Sequence, residues 1–217
     1  MFYECARNNH GLPHNPLKQC VVPRPIGWVS TVDGKGRVNL APFSFYNLVS
    51  EHPPLVIYCP VGAHVEGGEK DSLRAVRDVG EFVINVATYA LREALNVSSA
   101  PASSDIDEFE LAGLTKEPSQ LIRPPRVKES PLHLECRLVE VIALPGSFGG
   151  VANCMVLGEV LGVHIRDELL HDGLLKIDRL EPIARLGYQE YAVVRETFTM
   201  PRPTRVTLIA PDRCETR

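Results

Sequence analysis

Apolar positions in this chain gather into short runs separated by glycine, proline and small polar residues, a pattern of many strands and few helices. Residues 26–32 are rich in β-branched and aromatic side chains and predict a strand. Asp33-Gly34-Lys35-Gly36 supplies the turn residues of a hairpin, residues 38–41 resume the extended run, and Pro42 is expected to stop it by removing a ladder donor. Residues 48–54 are expected to loop, closed by Pro53-Pro54. Residues 55–59 read as a continuous apolar strand, and residues 62–68 as a glycine-containing loop. Residues 72–78 predict a short helix with Asp71 as N-cap and Gly80 beyond its end. A strand over 82–87, a helix over 90–97, a small polar loop over 98–104 and a helix capped by Asp105 or Asp107 through Glu110 follow. The proline-rich stretch 118–131 is an extended connection. Leu132, Leu134, Cys136 and Leu138 alternate with His133, Glu135 and Arg137, the signature of a half-buried strand. A hairpin loop over 145–152 returns the chain into a strand over 154–165. A turn with a short helix is expected over 169–180 and a last strand over 189–194.

Strands that do not alternate regularly with helices argue for a β barrel rather than a doubly wound sheet. The 217 residues suit a single domain, with residues 1–20 as a leader and 204–217 as a tail. A 44% hydrophobic content is enough for a sizeable core. The net charge of −4 argues against wrapping a nucleic-acid backbone. No run approaches the roughly 18 apolar residues of a membrane span. The first residues have no apolar stretch resembling a signal peptide, so a cytoplasmic location is expected.

The six cysteines include no C-x-x-C pair, which disfavours a zinc ribbon or a dithiol redox centre, and no metal site is expected. Cys59 and Cys136 are expected as small strand residues of the core. His10 and His14 are separated by Gly11 and Pro13, so their spacing carries no helical ligand geometry. No G-x-G-x-x-G, Walker loop or G-x-S-x-G is present. What stands out is a set of short polar residues around the apolar first hairpin: Ser30, Thr31, Asn39, Ser44 and Asn47. Either a polar ligand lies against it, or these groups bond to neighbouring backbone. Lys70-Asp71-Ser72 offers a cation, a hydroxyl and open amides at a helix start, and equally describes an ordinary capped helix.

The motifs R-P-I-G-W-V-S-T from Arg24 and N-L-A-P-F-S-F-Y-N from Asn39 resemble the opening of the flavin reductase-like, FMN-binding split-barrel family, which includes flavoredoxin. Lys70-Asp71-Ser72, the strand from Gly80 to Val86, the segment from Asp107 to Thr115, Leu134-Glu135-Cys136, Gly158-Glu159-Val160 and Arg185-Leu186-Gly187-Tyr188 follow in the same order. The resemblance spans residues 10–203.

That resemblance implies a mainly β fold: a six- or seven-stranded antiparallel Greek-key split β barrel with short peripheral helices, paired as a homodimer. It implies FMN as cofactor, with NADH or NADPH as electron donor and a flavin reductase activity. A flavoredoxin-like electron carrier, a relative of pyridoxamine phosphate oxidase and a non-enzymatic flavin-binding module are the alternatives. A partner monooxygenase or another electron acceptor is implied too. Positions matched to the family's flavin-lining strand and loop are Val29, Ser30, Thr31, Ala41, Pro42, Phe43, Ser44 and Asn47. Lys70, Asp71 and Ser72 match its phosphate side, and Arg185, Leu186 and Gly187 lie near the flavin. Arg24 adds a charge and Trp28 a wall. His164 is a candidate for holding the nicotinamide. The chain departs from the family at Ala75, where an asparagine is common, and at Tyr188, where a second glycine is common. Residues 197–203, with Phe198 and Met200, are expected to form an arm that covers a partner's site.

Overall fold

The computed structural model describes residues 1–202. Among these residues, fourteen strands run in chain order: β1 (Arg24–Pro25), β2 (Gly27–Val32), β3 (Val38–Phe43), β4 (Tyr46–Glu51), β5 (Pro54–Tyr58), β6 (Glu81–Val86), β7 (Lys116–Glu117), β8 (Arg126–Val127), β9 (Leu132–Phe148), β10 (Val151–Ile165), β11 (Leu170–His171), β12 (Leu174–Leu175), β13 (Ile183–Gly187) and β14 (Glu190–Val193). Four short helices accompany them: α1 (Asp71–Val79), α2 (Arg92–Val97), α3 (Glu108–Leu111) and α4 (Ile177–Leu180). Among the described residues, no helix is long and apolar enough to cross a membrane.

Seven strands form one antiparallel sheet in the order β3-β2-β6-β9-β10-β5-β4. The sheet curls on itself. Phe43 at the end of β3 packs on Tyr58 of β5 with ring centroids 5.1 Å apart, and Tyr58 meets Phe82 of β6 at 5.4 Å. Strands far apart in the sheet therefore share one core, which Val29, Val56, Ile84, Cys136 and Val156 fill and Leu73 and Val76 of α1 close. A second core lies on the other face of β2, built from Trp28, Leu40, Leu95, Phe109, Val127 and Ile183. With cores on both faces, residues 27–31 of β2 are all buried, so this stretch reads as continuous rather than alternating. A small sheet, β1-β13-β14, packs beside the barrel.

The first hairpin forms as its sequence predicts. Gly36 takes a φ of 82°, and Asp33 Oδ1 accepts from the amides of Lys35 and Arg37, each at 2.9 Å. Four expectations need correction. Pro42 does not end the strand: β3 is the sheet's edge and continues through Phe43, and an edge tolerates a residue without an N–H. Residues 46–51 are strand β4 rather than loop, paired with β5 despite the exposed Leu48 and Val49. Asp71 is the first helical residue of α1; Lys70 occupies the cap position with no side-chain cap. The β9–β10 hairpin stays paired as far as Phe148 and Val151, so the expected glycine loop narrows to Gly149 and Gly150. Of the two expected caps, Asp105 and Asp107, it is Asp107 that caps α3, accepting from Phe109 and Glu110. Residues 197–202 lie outside regular structure with Phe198 and Met200 exposed; the expected tail, 204–217, lies outside the described residues.

Buried polar groups tie the proline-rich connection to the barrel. Glu135 on β9 is fully buried and accepts from the amides of Gln120 and Leu121 at 2.8 and 2.7 Å, and from His164 Nε2 at 2.6 Å. Burial opposes its charge, but these donors outweigh burial and hold its carboxyl below the usual range. Beside it, His133 donates from Nε2 to the Val127 carbonyl at 2.8 Å, while its Nδ1 is buried without a partner among the described residues. Burial therefore keeps this imidazole neutral and lowers its pKa from 6.5 to about 4.

Two outcomes follow from this packing. A Cβ at Gly158 would lie 2.3 Å from Cζ of the buried Phe82. Gly158→Ala is expected to lower unfolding free energy in urea by about 1–3 kcal/mol; unchanged stability would show that Phe82 has room to move. Because the folded pKa of His133 is depressed, its contribution to stability is complete above pH 6.5 and is lost as pH falls toward 4. A shift of that size corresponds to about 3 kcal/mol. His133→Gln should remove this part of the acid sensitivity, read as the difference between urea titrations of the two proteins across that window.

Candidate functional site

Two cavities meet at the open end of β3, where both are lined by Pro42 and Phe43. The first, about 410 Å³, lies between Asn39 and Ala41 of β3, the loop of residues 63–65, the start of α1 and the loop of residues 98–102. Trp28 holds that last loop in place: its Nε1 donates to Ser98 Oγ at 2.9 Å, and Ser98 Oγ donates to the Leu95 carbonyl at 2.9 Å. Across the cavity, His64 Nε2 lies 2.9 Å from Asp71 Oδ2. Asp71 also pairs with Arg74 and accepts from Ser104 Oγ at 2.8 Å, so its charge is balanced within the protein.

Glu108 caps the exposed edge of β3. Its carboxylate accepts from the Leu40 amide at 3.0 Å and from Asn39 Nδ2 at 2.9 Å. Burial, with the nearby Asp71 carboxylate adding to it, outweighs these donors and raises its pKa. Two polar atoms are left over. Asn39 Oδ1 and Ser72 Oγ are buried with no partner among the described residues, and Ser72 is 1% exposed. The first turn of α1 adds open amides, because the helix starts without a side-chain cap. Lys70, which makes no ion pair among the described residues, stands at that same helix end, so a cation and the positive end of the helix dipole coincide.

The second cavity, about 680 Å³, is lined by His14, Leu17 and Lys18 of the leader, by Ser44, Phe45 and Cys59, and by Arg24, Arg185, Gly187 and Tyr188. Burial raises the pKa of the Cys59 thiol, so it is not an activated nucleophile.

The structure thus divides the candidate residues. Ala41, Pro42, Phe43, Lys70, Asp71 and Ser72 come together at the first cavity; Arg24, Ser44, Arg185 and Gly187 line the second, and Leu186 offers its carbonyl to Arg24 at 3.2 Å. Trp28, Val29, Ser30 and Thr31 are fully buried and line neither. Ser30 Oγ donates to the Pro125 carbonyl at 2.5 Å and accepts from Asn85 Nδ2 at 3.1 Å. Asn47 is exposed and accepts from the Leu48 amide at 2.9 Å. His164 is engaged by Glu135 away from both cavities. Of the departures, Ala75 is buried in α1, and Tyr188 stands at the second cavity. Sequence reading missed Glu108, His64 and the loop of residues 98–102, and it missed Lys18 and His14. The D-E-F motif at 107–109 was a signal for Glu108; the leader residues gave none.

A curled antiparallel sheet with a groove at the open end of its edge strand defines the FMN-binding split-barrel class. The chain belongs to the flavin reductase like domain family, whose model matches residues 19–182. It is 41% identical over 184 residues to an uncharacterized protein of Halalkalibacterium halodurans, covering 85% of this chain and 88% of the relative. Its structure is similar to that of nitrilotriacetate monooxygenase component B from Bacillus cereus, with a TM-score of 0.81 and 30% identity over 92% of this chain and 99% of that one. The fold is shared with the 2-nitrobenzoate 2-nitroreductase NbaA of Pseudomonas fluorescens, with a TM-score of 0.81 and 24% identity over 97% of this chain and all of that one. Family membership gives the protein an FMN-related oxidoreductase function.

The residues present fit FMN. Lys70 and the open end of α1 suit a phosphate, the unpartnered Ser72 hydroxyl and Asn39 carbonyl suit a polyol, and Pro42 and Phe43 give an apolar wall. A buried hydroxyl without a partner costs about 1–3 kcal/mol. Ser72→Ala is therefore expected to leave the thermal stability of the flavin-free protein equal or higher. A clear loss of stability in a melting experiment would show that Ser72 is already satisfied.

Proposed function

We propose that this protein binds FMN in the first cavity and acts as an NAD(P)H-dependent flavin reductase. The observation that carries this reading is the buried, unpartnered Ser72 hydroxyl beside Lys70 at the uncapped start of α1. FMN, when bound, supplies the hydride-accepting chemistry, so the chain's task is binding, orientation and electrostatics. Lys70 and the first amides of α1 hold the phosphate. Ser72 Oγ and Asn39 Oδ1 bond to the polyol chain, and Glu108 fixes Asn39 so that its carbonyl oxygen stays available. Pro42 and Phe43 form a wall for the ring at the junction of the two cavities. The single domain works as a homodimer, a reading supported by exposed Leu48 and Val49 on edge strand β4 and by Phe198 and Met200 on the arm. The likeness to a monooxygenase component supports a partner monooxygenase as electron acceptor.

Fluorescence titration should show tighter binding of FMN than of riboflavin. Lys70→Ala should weaken FMN binding by one to two orders of magnitude, the loss of about 1.5–3 kcal/mol from a charged hydrogen bond, with the melting temperature unchanged. Equal affinity for the two flavins would remove the phosphate site. Adding NADH and NADPH in turn to the FMN-loaded protein should bleach the flavin with one of them. A tightly bound flavin that neither donor bleaches would leave an electron carrier in place of a reductase.

A further inference from the structure

The second cavity carries an unbalanced positive charge. The β1–β13 register sets Arg24 directly opposite Arg185, a like-charge cross-strand pair that is unfavourable unless something offsets it. Neither arginine, nor Lys18 across the cavity, forms an ion pair with a carboxylate among the described residues, and among those residues no Asp or Glu lines the cavity. The chain as a whole is acidic, with a net charge of −4, so the local excess of cations is not a reflection of composition.

The arginines are built in. Arg24 is 7% exposed, and its Nη1 donates to the carbonyls of Lys18, Val21 at 2.7 Å and Leu186 at 3.2 Å, tying the leader to β13. Its Nε is buried with no partner among the described residues. Arg185 lies over the Tyr191 ring at 4.5 Å and donates to the Tyr191 hydroxyl and the Tyr188 carbonyl, both neutral acceptors. Burial and the adjacent Arg185 charge both lower the pKa of Arg24, as expected where two cations share a desolvated place.

The lining includes aromatic rings. Lys18 Nζ stands 6.0 Å from the centre of the Phe45 ring, and the His14 and Tyr188 rings lie 5.6 Å apart, tilted by 58°. Tyr188 holds a φ of 44°, a left-handed conformation that costs a non-glycine residue about 1–2 kcal/mol. Glycine would avoid that strain, yet a tyrosine stands here, among the residues that line the cavity. An observed outlier of this kind at a cavity points to a use for the side chain.

We propose that the second cavity is a binding site for a small aromatic carboxylate, and that this is the substrate class served by the adjoining flavin site. The anion sits between Lys18 and Arg185, and the ring lies among Phe45, Tyr188 and His14. Because Pro42 and Phe43 line both cavities, such a ligand lies beside the flavin; that part rests on the function proposed above, whereas the anion site does not.

The test is calorimetric titration of the protein, FMN-free and FMN-saturated, with benzoate, its neutral isostere benzamide and inorganic phosphate. Benzoate should bind at least about tenfold more tightly than benzamide, one charged hydrogen bond's worth, and more tightly than phosphate. Lys18→Gln and Arg185→Gln should each remove most of the benzoate preference without loss of the benzamide response. Tyr188→Gly should weaken benzoate and benzamide alike. Equal binding of benzoate and benzamide, or a preference that survives both charge variants, would overturn the proposal. Phosphate binding as tight as benzoate would overturn the aromatic part. NADH that displaces benzoate no better than an equal concentration of phosphate supports an aromatic carboxylate site; NADH displacing it far more tightly than benzoate itself binds would assign the cavity to the dinucleotide and overturn the proposal. FMN binding is scored separately, so failure of the flavin reading and failure of the anion site give different results.

Discussion

The packing of Phe43 on Tyr58 is the contact on which the functional end of the molecule depends. It draws the far end of edge strand β3 against β5 and closes the curled sheet there. An edge strand normally invites pairing with another chain. Here the edge is blunted by three devices: Pro42 offers no donor, Glu108 accepts the Leu40 amide, and Phe43 turns into the core. The result is a backbone ledge that lines both cavities and is anchored in one core shared by strands across the sheet and α1.

The cavities differ in electrostatics. In the first, carboxylates are present but balanced: Asp71 by Arg74, Glu108 by hydrogen bonds and by its raised pKa. What remains open is a cation, a helix N-terminus, a hydroxyl and an amide carbonyl, a donor-and-acceptor set for a phosphorylated polyol. The second cavity has cations and aromatic surfaces with no carboxylate among its described lining residues. On the proposed reading, a flavin in one cavity and a planar anion in the other would meet the same apolar wall, an arrangement that suits electron transfer.

Much of this was legible in the sequence because it is local. The hairpin at residues 27–43 announces itself by its turn residues, the α1 stop by Gly80, and the α3 cap by Asp107. β4 was hidden because Leu48 and Val49 are exposed, so apolar residues there carry no alternation with a core. β13 was hidden because its five residues mix Arg185 and Gly187 with apolar positions. The polar set around the first hairpin allowed two readings, a ligand shell or bonds to neighbouring backbone. In the structure Ser30 and Asn85 satisfy one another and the residues near Val127, while Asn39 turns to Glu108. Partners so distant in sequence leave no periodic trace. Arg24, Ser44, Arg185 and Gly187 were named from the sequence, but not that they line a second cavity with the leader: Arg24 ties the Lys18 and Leu186 carbonyls together across 168 positions of sequence.

A crystal structure of the protein grown with FMN tests the central claim most directly. The account predicts the phosphate at Lys70 and the first turn of α1, with Ser72 Oγ and Asn39 Oδ1 on the polyol and the ring against Pro42 and Phe43. Density for the phosphate between Arg24 and Arg185 would contradict it, as would a first cavity left without flavin at saturating concentration.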